Sequence, residues 1–190
     1  MKNLSLVSLA LFILMFVSVN IQATPAIKNA GTQINQKVPE ISALDIAGNK
    51  QTIQQLSGDK GLVLVFFRSA DWCPYCKKHL VEINEWNEKI NNLGFNIAAV
   101  SYDSIEILDM FSKKKQLMYP LLSDQNHHTM KSLNVLNDEE EPGDKHYGIP
   151  FPGVMVINSE GVLLYKYFYK GYKNRVKMPT LFKQLQNLEG

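Results

Sequence analysis

Three runs of apolar residues stand out along the chain: Leu62–Phe67, Phe95–Val100 and Val154–Ile157. Runs of this length predict strands, and the uninterrupted one, Leu62–Phe67, predicts a central strand covered on both faces. Between the first two, Leu80, Ile83, Trp86, Ile90 and Leu93 recur at helical spacing. They predict a helix from Pro74 to Leu93, with Gly94 as its C-terminal cap. Strand, helix and strand in that order form a right-handed βαβ unit with parallel strands. Val38–Asp45 reads as a short edge strand, followed by a turn at Gly48-Asn49 and a helical turn from Ile53 to Leu56. Ser104 is placed to cap a second long helix, Ile105 to about Leu117. A brief extended segment at Pro120–Asp124 and a short helix from His127 to about Asn134 come next. Asn158-Ser159-Glu160-Gly161 joins Val154–Ile157 to Val162–Phe168 as a hairpin, and Pro179 opens a final helix through Leu188. The sum is an α/β domain over residues 38–190, a mixed four- or five-stranded sheet with helices on both faces.

Residues 1–23 differ from everything after them. Lys2 is followed by a charge-free apolar run, Leu4–Val19, and by Ile21-Gln22-Ala23 before Thr24. This is the pattern of a secretory signal peptide, with an uncleaved anchor as the alternative. Both place the folded part outside the cytoplasm. Residues 24–37 are polar and aperiodic and predict a linker or a loosely held N-terminal arm. In 190 residues the net charge is only +2, which gives no reason to invoke nucleic acid. Two local charge clusters interrupt the balance. Asn137–Lys145 carries five acidic residues and predicts a solvated loop. Lys166, Lys170, Lys173, Arg175 and Lys177 alternate with tyrosines and predict an edge strand running into a solvated loop.

The chemistry concentrates in Asp71-Trp72-Cys73-Pro74-Tyr75-Cys76, which holds both cysteines of the chain. A Cys-x-x-Cys pair between a buried strand and a helix suits thiol exchange, because the helix N-terminus favours thiolate over thiol. Pro74 fits the first helical turn. On this reading Cys73 is exposed just before the helix, and Cys76 lies one turn in, half covered. An exported chain with so few cysteines is not using them as a disulfide scaffold. Alternatives remain. Zinc usually takes four ligands and no second Cys-x-x-Cys is present. His79, His127, His128 and His146 nevertheless leave open a metal-binding or copper-delivery module on the two cysteines and a histidine. A c-type haem requires histidine where Lys77 stands.

Val38-Pro39 to Leu56, Phe66 to Cys76 and Gly148 to Gly161 together resemble the thioredoxin-fold redoxin superfamily. That group includes exported thioredoxin-like reductases and the alkyl hydroperoxide reductase/thiol-specific antioxidant family. The resemblance spans nearly everything after residue 37 and implies the thioredoxin fold. In the thioredoxin-like branch it implies Cys73 as nucleophile and Cys76 as resolving cysteine, with Trp72, Pro74, Tyr75 and a cis-proline at Pro152 in support. No cofactor is implied, and the partners are protein or small-molecule thiols and disulfides. A membrane is involved only if the N-terminal segment stays attached. The peroxidase branch, with the pattern Pro-x-x-x-Thr-x-x-Cys, instead puts the peroxide-reactive sulfur at Cys76. Its proline then falls at Ser69, its threonine at Cys73 and its arginine at Pro152. The thioredoxin-like motif is filled and the peroxidase motif is not. One position departs from thioredoxin too: the buried acid of that family corresponds to Phe67.

Overall fold

The computed structural model describes residues 29–169 and 171–188. The signal-peptide reading of residues 1–23 lies outside them. Ten elements follow in order: α1 (Ile53–Leu56), β1 (Gly61–Phe66), α2 (Pro74–Asn91), β2 (Phe95–Ser101), α3 (Ile105–Lys115), β3 (Leu121–Ser123), α4 (His128–Ser132), β4 (Gly153–Asn158), β5 (Leu163–Phe168) and α5 (Met178–Asn187). They build a five-stranded sheet in the order β3-β2-β1-β4-β5. β1 pairs parallel with β2, Val65 opposite Ala99, and antiparallel with β4, Val65 opposite Val154. Every residue of β1 is buried. This central position explains why its sequence lacks an alternating polar face.

Two apolar layers sandwich the sheet. On one face Val63, Val65, Ile97 and Val154 pack with Cys76, Leu80 and Ile83 of α2, Leu108 of α3, and Leu181 and Leu185 of α5. On the other, Leu62, Leu64, Ala98 and Met155 pack with Ile53 and Leu56 of α1, Met130 of α4, and Val38 and Ile41. Helices therefore cover both faces, as expected. The Ser104 cap agrees as well, whereas α2 ends two residues earlier than expected, at Asn91 with Asn92 as its C-cap. Ser104 Oγ accepts the amide of Ile107 (3.4 Å) at the head of α3, and Gly94 takes the positive φ (+85°) that ends the turn after α2.

Three expectations change. Val38–Asp45 is not a strand. Leu44 makes isolated bridges to Lys50 and Ser123, and Pro39, second in the segment, has no amide to donate. The described part of the arm, residues 29–37, is held down. Ala30 is buried, Gly31 donates to Asn134 (2.8 Å), and Asn35 donates to the carbonyl of Leu163 (2.8 Å). The basic and aromatic segment after β5 is only partly solvated. Tyr169 and Val176 are buried in the same layer as the cysteines. Among the described residues no helix is long and apolar enough to cross a membrane.

Candidate active site

Buried β1 delivers the chain to a loop, Phe67–Trp72, from which α2 departs. Cys73 is the N-cap of α2 in extended conformation, its Sγ accepting the amide of Cys76 (3.3 Å), and Pro74 follows in the first turn. The two cysteines are joined as a disulfide with Cα atoms 5.3 Å apart. Capping geometry and the exchange motif are thus the same feature: the sulfur that caps the helix sits where its amides stabilise negative charge.

The loop is braced by Asp103, a residue that no motif or spacing singles out. Its buried carboxylate, just beyond β2, accepts the amide of Ala70 (2.6 Å) and the hydroxyls of Ser69 (2.8 Å) and Ser101 (3.0 Å). Ser69 in turn accepts the amide of Asp71 (3.0 Å). Burial raises the Asp103 pKa above the usual carboxylate value, and the three hydrogen bonds work in the opposite direction. A buried acid is present after all, at a different place from the one Phe67 vacates.

Trp72 is half-buried and fully engaged. Its indole N–H donates to the Tyr102 hydroxyl (2.9 Å), its ring stacks on His146 with centroids 4.1 Å apart, and the Arg68 guanidinium lies 4.8 Å from its centroid. The acidic loop thus returns through His146 to cover the motif. Tyr75 is exposed and meets Tyr172 edge-on at 5.9 Å.

Two expectations are corrected at the sulfurs. Cys73 is not exposed: its relative exposure is 2%, against 0% for Cys76. Arg175 reaches over the pair, and Val176 is buried in the same apolar layer, so this part of the segment does not run into solvent. Pro152 is buried and not cis, since no peptide bond among the described residues is cis. Its flanks are held by hydrogen bonds: Phe151 donates to the carbonyl of Val135 (2.9 Å), and the Pro152 carbonyl accepts the amide of Tyr169 (3.1 Å).

The polar side chain that reaches the sulfurs belongs to Arg175. Its Nη2 lies 3.0 Å from Cys76 Sγ and 3.8 Å from Cys73 Sγ, while Nη1 donates to the carbonyls of Tyr172 (3.0 Å) and Asn174 (2.7 Å). Burial, followed by repulsion from Arg68, lowers its pKa to about 10. One helical turn beyond Cys76, buried His79 has no hydrogen bond at either ring nitrogen. Burial and then Arg175 bring its pKa down to about 4, with a weak pull upward from the Val176 backbone. The imidazole is therefore neutral at pH 7. Among the described residues no group of three histidine, cysteine or acidic side chains is placed to hold a metal.

The model of the AhpC/TSA family matches residues 34–166. A putative peroxiredoxin bcp of Coxiella burnetii is 26% identical over 131 residues, covering 69% of this chain and 85% of that protein. The thiol-disulfide oxidoreductase ResA of Bacillus thuringiensis subsp. konkukian is 24% identical over 159 residues, covering 83% and 82%. The crystal structure of peroxidoxin BcpB from Mycobacterium tuberculosis superposes with a TM-score of 0.72 at 18% identity, over 84% of this chain and 99% of that one.

Proposed function

Because the chain belongs to the AhpC/TSA family and is therefore an oxidoreductase of the thiol-based kind, we propose that it catalyses thiol–disulfide exchange through Cys73 and Cys76. The observation that supports this most is the disulfide itself, closed across the first turn of α2 with Cys73 as the cap. In the reduced protein the Cys73 thiolate attacks a partner disulfide, and one partner sulfur leaves as thiolate. Cys76 then attacks Cys73 Sγ, releases the second partner sulfur and restores the intramolecular disulfide. Asp103 and Ser69 hold the loop that aims Cys73. Because Cys73 is covered, a partner's approach displaces the Tyr172–Arg175 segment. Pro74 shapes the first turn, and exposed Tyr75 lies on the approach to the pair. Partners are protein or small-molecule thiols and disulfides. The signal-peptide pattern of residues 1–23 supports an extracytoplasmic role in redox homeostasis. The test is turnover of a model protein disulfide: wild type active, Cys73→Ser inactive.

A second reading is favoured by a specific contact. If Cys76 is the peroxide-reactive sulfur, Arg175 supplies, from another part of the chain, the cation that is missing at Pro152. Stopped-flow mixing of the reduced protein with hydrogen peroxide separates the two readings. Oxidation no faster than that of free cysteine rules out the peroxidase.

A further inference from the structure

We propose that Arg175 is the counter-ion of the reduced site: it takes the negative charge of the opened pair onto Cys76 and thereby strengthens the pair as an electron acceptor. The inference rests on the exchange reading of Cys73 and Cys76, and it assigns Arg175 as a catalytic residue, in contact with the reacting sulfur.

Four observations carry it. Nη2 is nearer Cys76 than Cys73, 3.0 against 3.8 Å, so the two sulfurs are electrostatically unequal. Among the described residues no carboxylate pairs with Arg175, whose Nε is buried without a partner. The other titratable groups around Cys76 do not supply an anion. Arg68, at the end of β1, is a second cation; His79 on α2 is neutral at pH 7; the Lys77 Nζ turns to the Asp71 carbonyl (2.6 Å). Asp103 spends its carboxylate on Ser69, Ala70 and Ser101.

In the oxidised protein this half-buried guanidinium therefore faces an uncharged disulfide, which is a poor acceptor. An unpaired cation away from water is costly, and an anion within about 4 Å relieves it. Reduction supplies that anion. An external dithiol attacks Cys73 Sγ, the Cys73–Cys76 bond breaks, and the electron pair leaves on Cys76 Sγ as thiolate beside Arg175. The second thiol of the donor then displaces Cys73, closing the donor's own disulfide. Cys73 takes one of the two donor protons, and the other goes to solvent; when Cys73 attacks a partner disulfide it first gives that proton up and reacts as thiolate. The same contact decides where attack occurs, since the better-stabilised thiolate is the better leaving group.

The test equilibrates the full chain with mixtures of reduced and oxidised glutathione and counts thiols by alkylation. Arg175→Met is expected to shift the equilibrium toward the disulfide by about tenfold or more, roughly 30 mV to more negative potential. Arg175→Lys recovers part of the shift. Arg175→Gln carries the same expectation as the methionine variant if that chain does not fold. In a Cys73→Ser background, ultraviolet thiolate absorbance is expected to show about tenfold tighter proton binding at Cys76 when Arg175 is neutralised. Unchanged equilibrium and unchanged Cys76 titration overturn the proposal, and the exchange reading stands if reduced Cys76→Ser still captures disulfide partners. If no cysteine variant captures any partner, the exchange reading falls and the proposal falls with it.

Discussion

Asp103 accepts the backbone amide of Ala70 at 2.6 Å, which ties the end of β2 to the loop carrying the cysteines, 33 residues earlier in the chain. Removing that carboxylate leaves the Ala70 amide and two hydroxyls without their acceptor in a buried place. Asp103→Ala is expected to cost about 2 to 4 kcal/mol in urea unfolding. It should also slow exchange, because the loop that aims Cys73 loses its brace. Wild-type exchange rates in a destabilised Asp103→Ala would show that the brace serves stability alone.

His79 gives the protein a defined acid sensitivity. Its folded pKa of about 4 lies below the ordinary value of 6.5, so the unfolded chain binds the proton more tightly. Stability is then fully present above pH 6.5 and is lost as pH falls toward about 4, by up to about 3 kcal/mol. Denaturant unfolding across that window checks the slope. In His79→Leu the His79 part of the slope is expected to vanish.

The single hydrogen bond from Trp72 to Tyr102 is separable from the stacking of the ring. Trp72→Phe keeps an aromatic face for His146 but leaves the half-buried Tyr102 hydroxyl without its donor. The expected loss is about 1 kcal/mol in thermal or denaturant unfolding, with the disulfide still formed.

Much of this architecture was legible because it is local. The apolar run of β1, the helical spacing of Leu80, Ile83 and Ile90, and the cap at Ser104 each announce an element within a few residues. The Cys-x-x-Cys pair announces its own chemistry. What the sequence hid is what the fold assembles. Arg175 lies 99 residues from Cys76, within a run of lysines and tyrosines whose alternation matches a solvated edge. One signal was available. The chain has only two arginines among its twenty basic residues, and both gather at the site, Arg68 over Trp72 and Arg175 on Cys76. Arginine's planar, weakly hydrated head suits such half-buried positions better than lysine's. Asp103 is hidden for the same reason: Ser101 is its neighbour in sequence, but Ser69 and Ala70 meet it only in the folded sheet. The cis bond expected at Pro152 came from resemblance rather than from the residues, and no peptide bond among the described residues is cis.

The division of labour between the two sulfurs is tested most directly by trapping. Reduced Cys76→Ser, incubated with a disulfide-containing partner protein, is predicted to accumulate a mixed disulfide through Cys73, resolved by mass under non-reducing conditions. Cys73→Ser is predicted to accumulate none. A Cys73→Ser variant that captures the partner as well as Cys76→Ser does would contradict the assignment of Cys73 as the attacking sulfur.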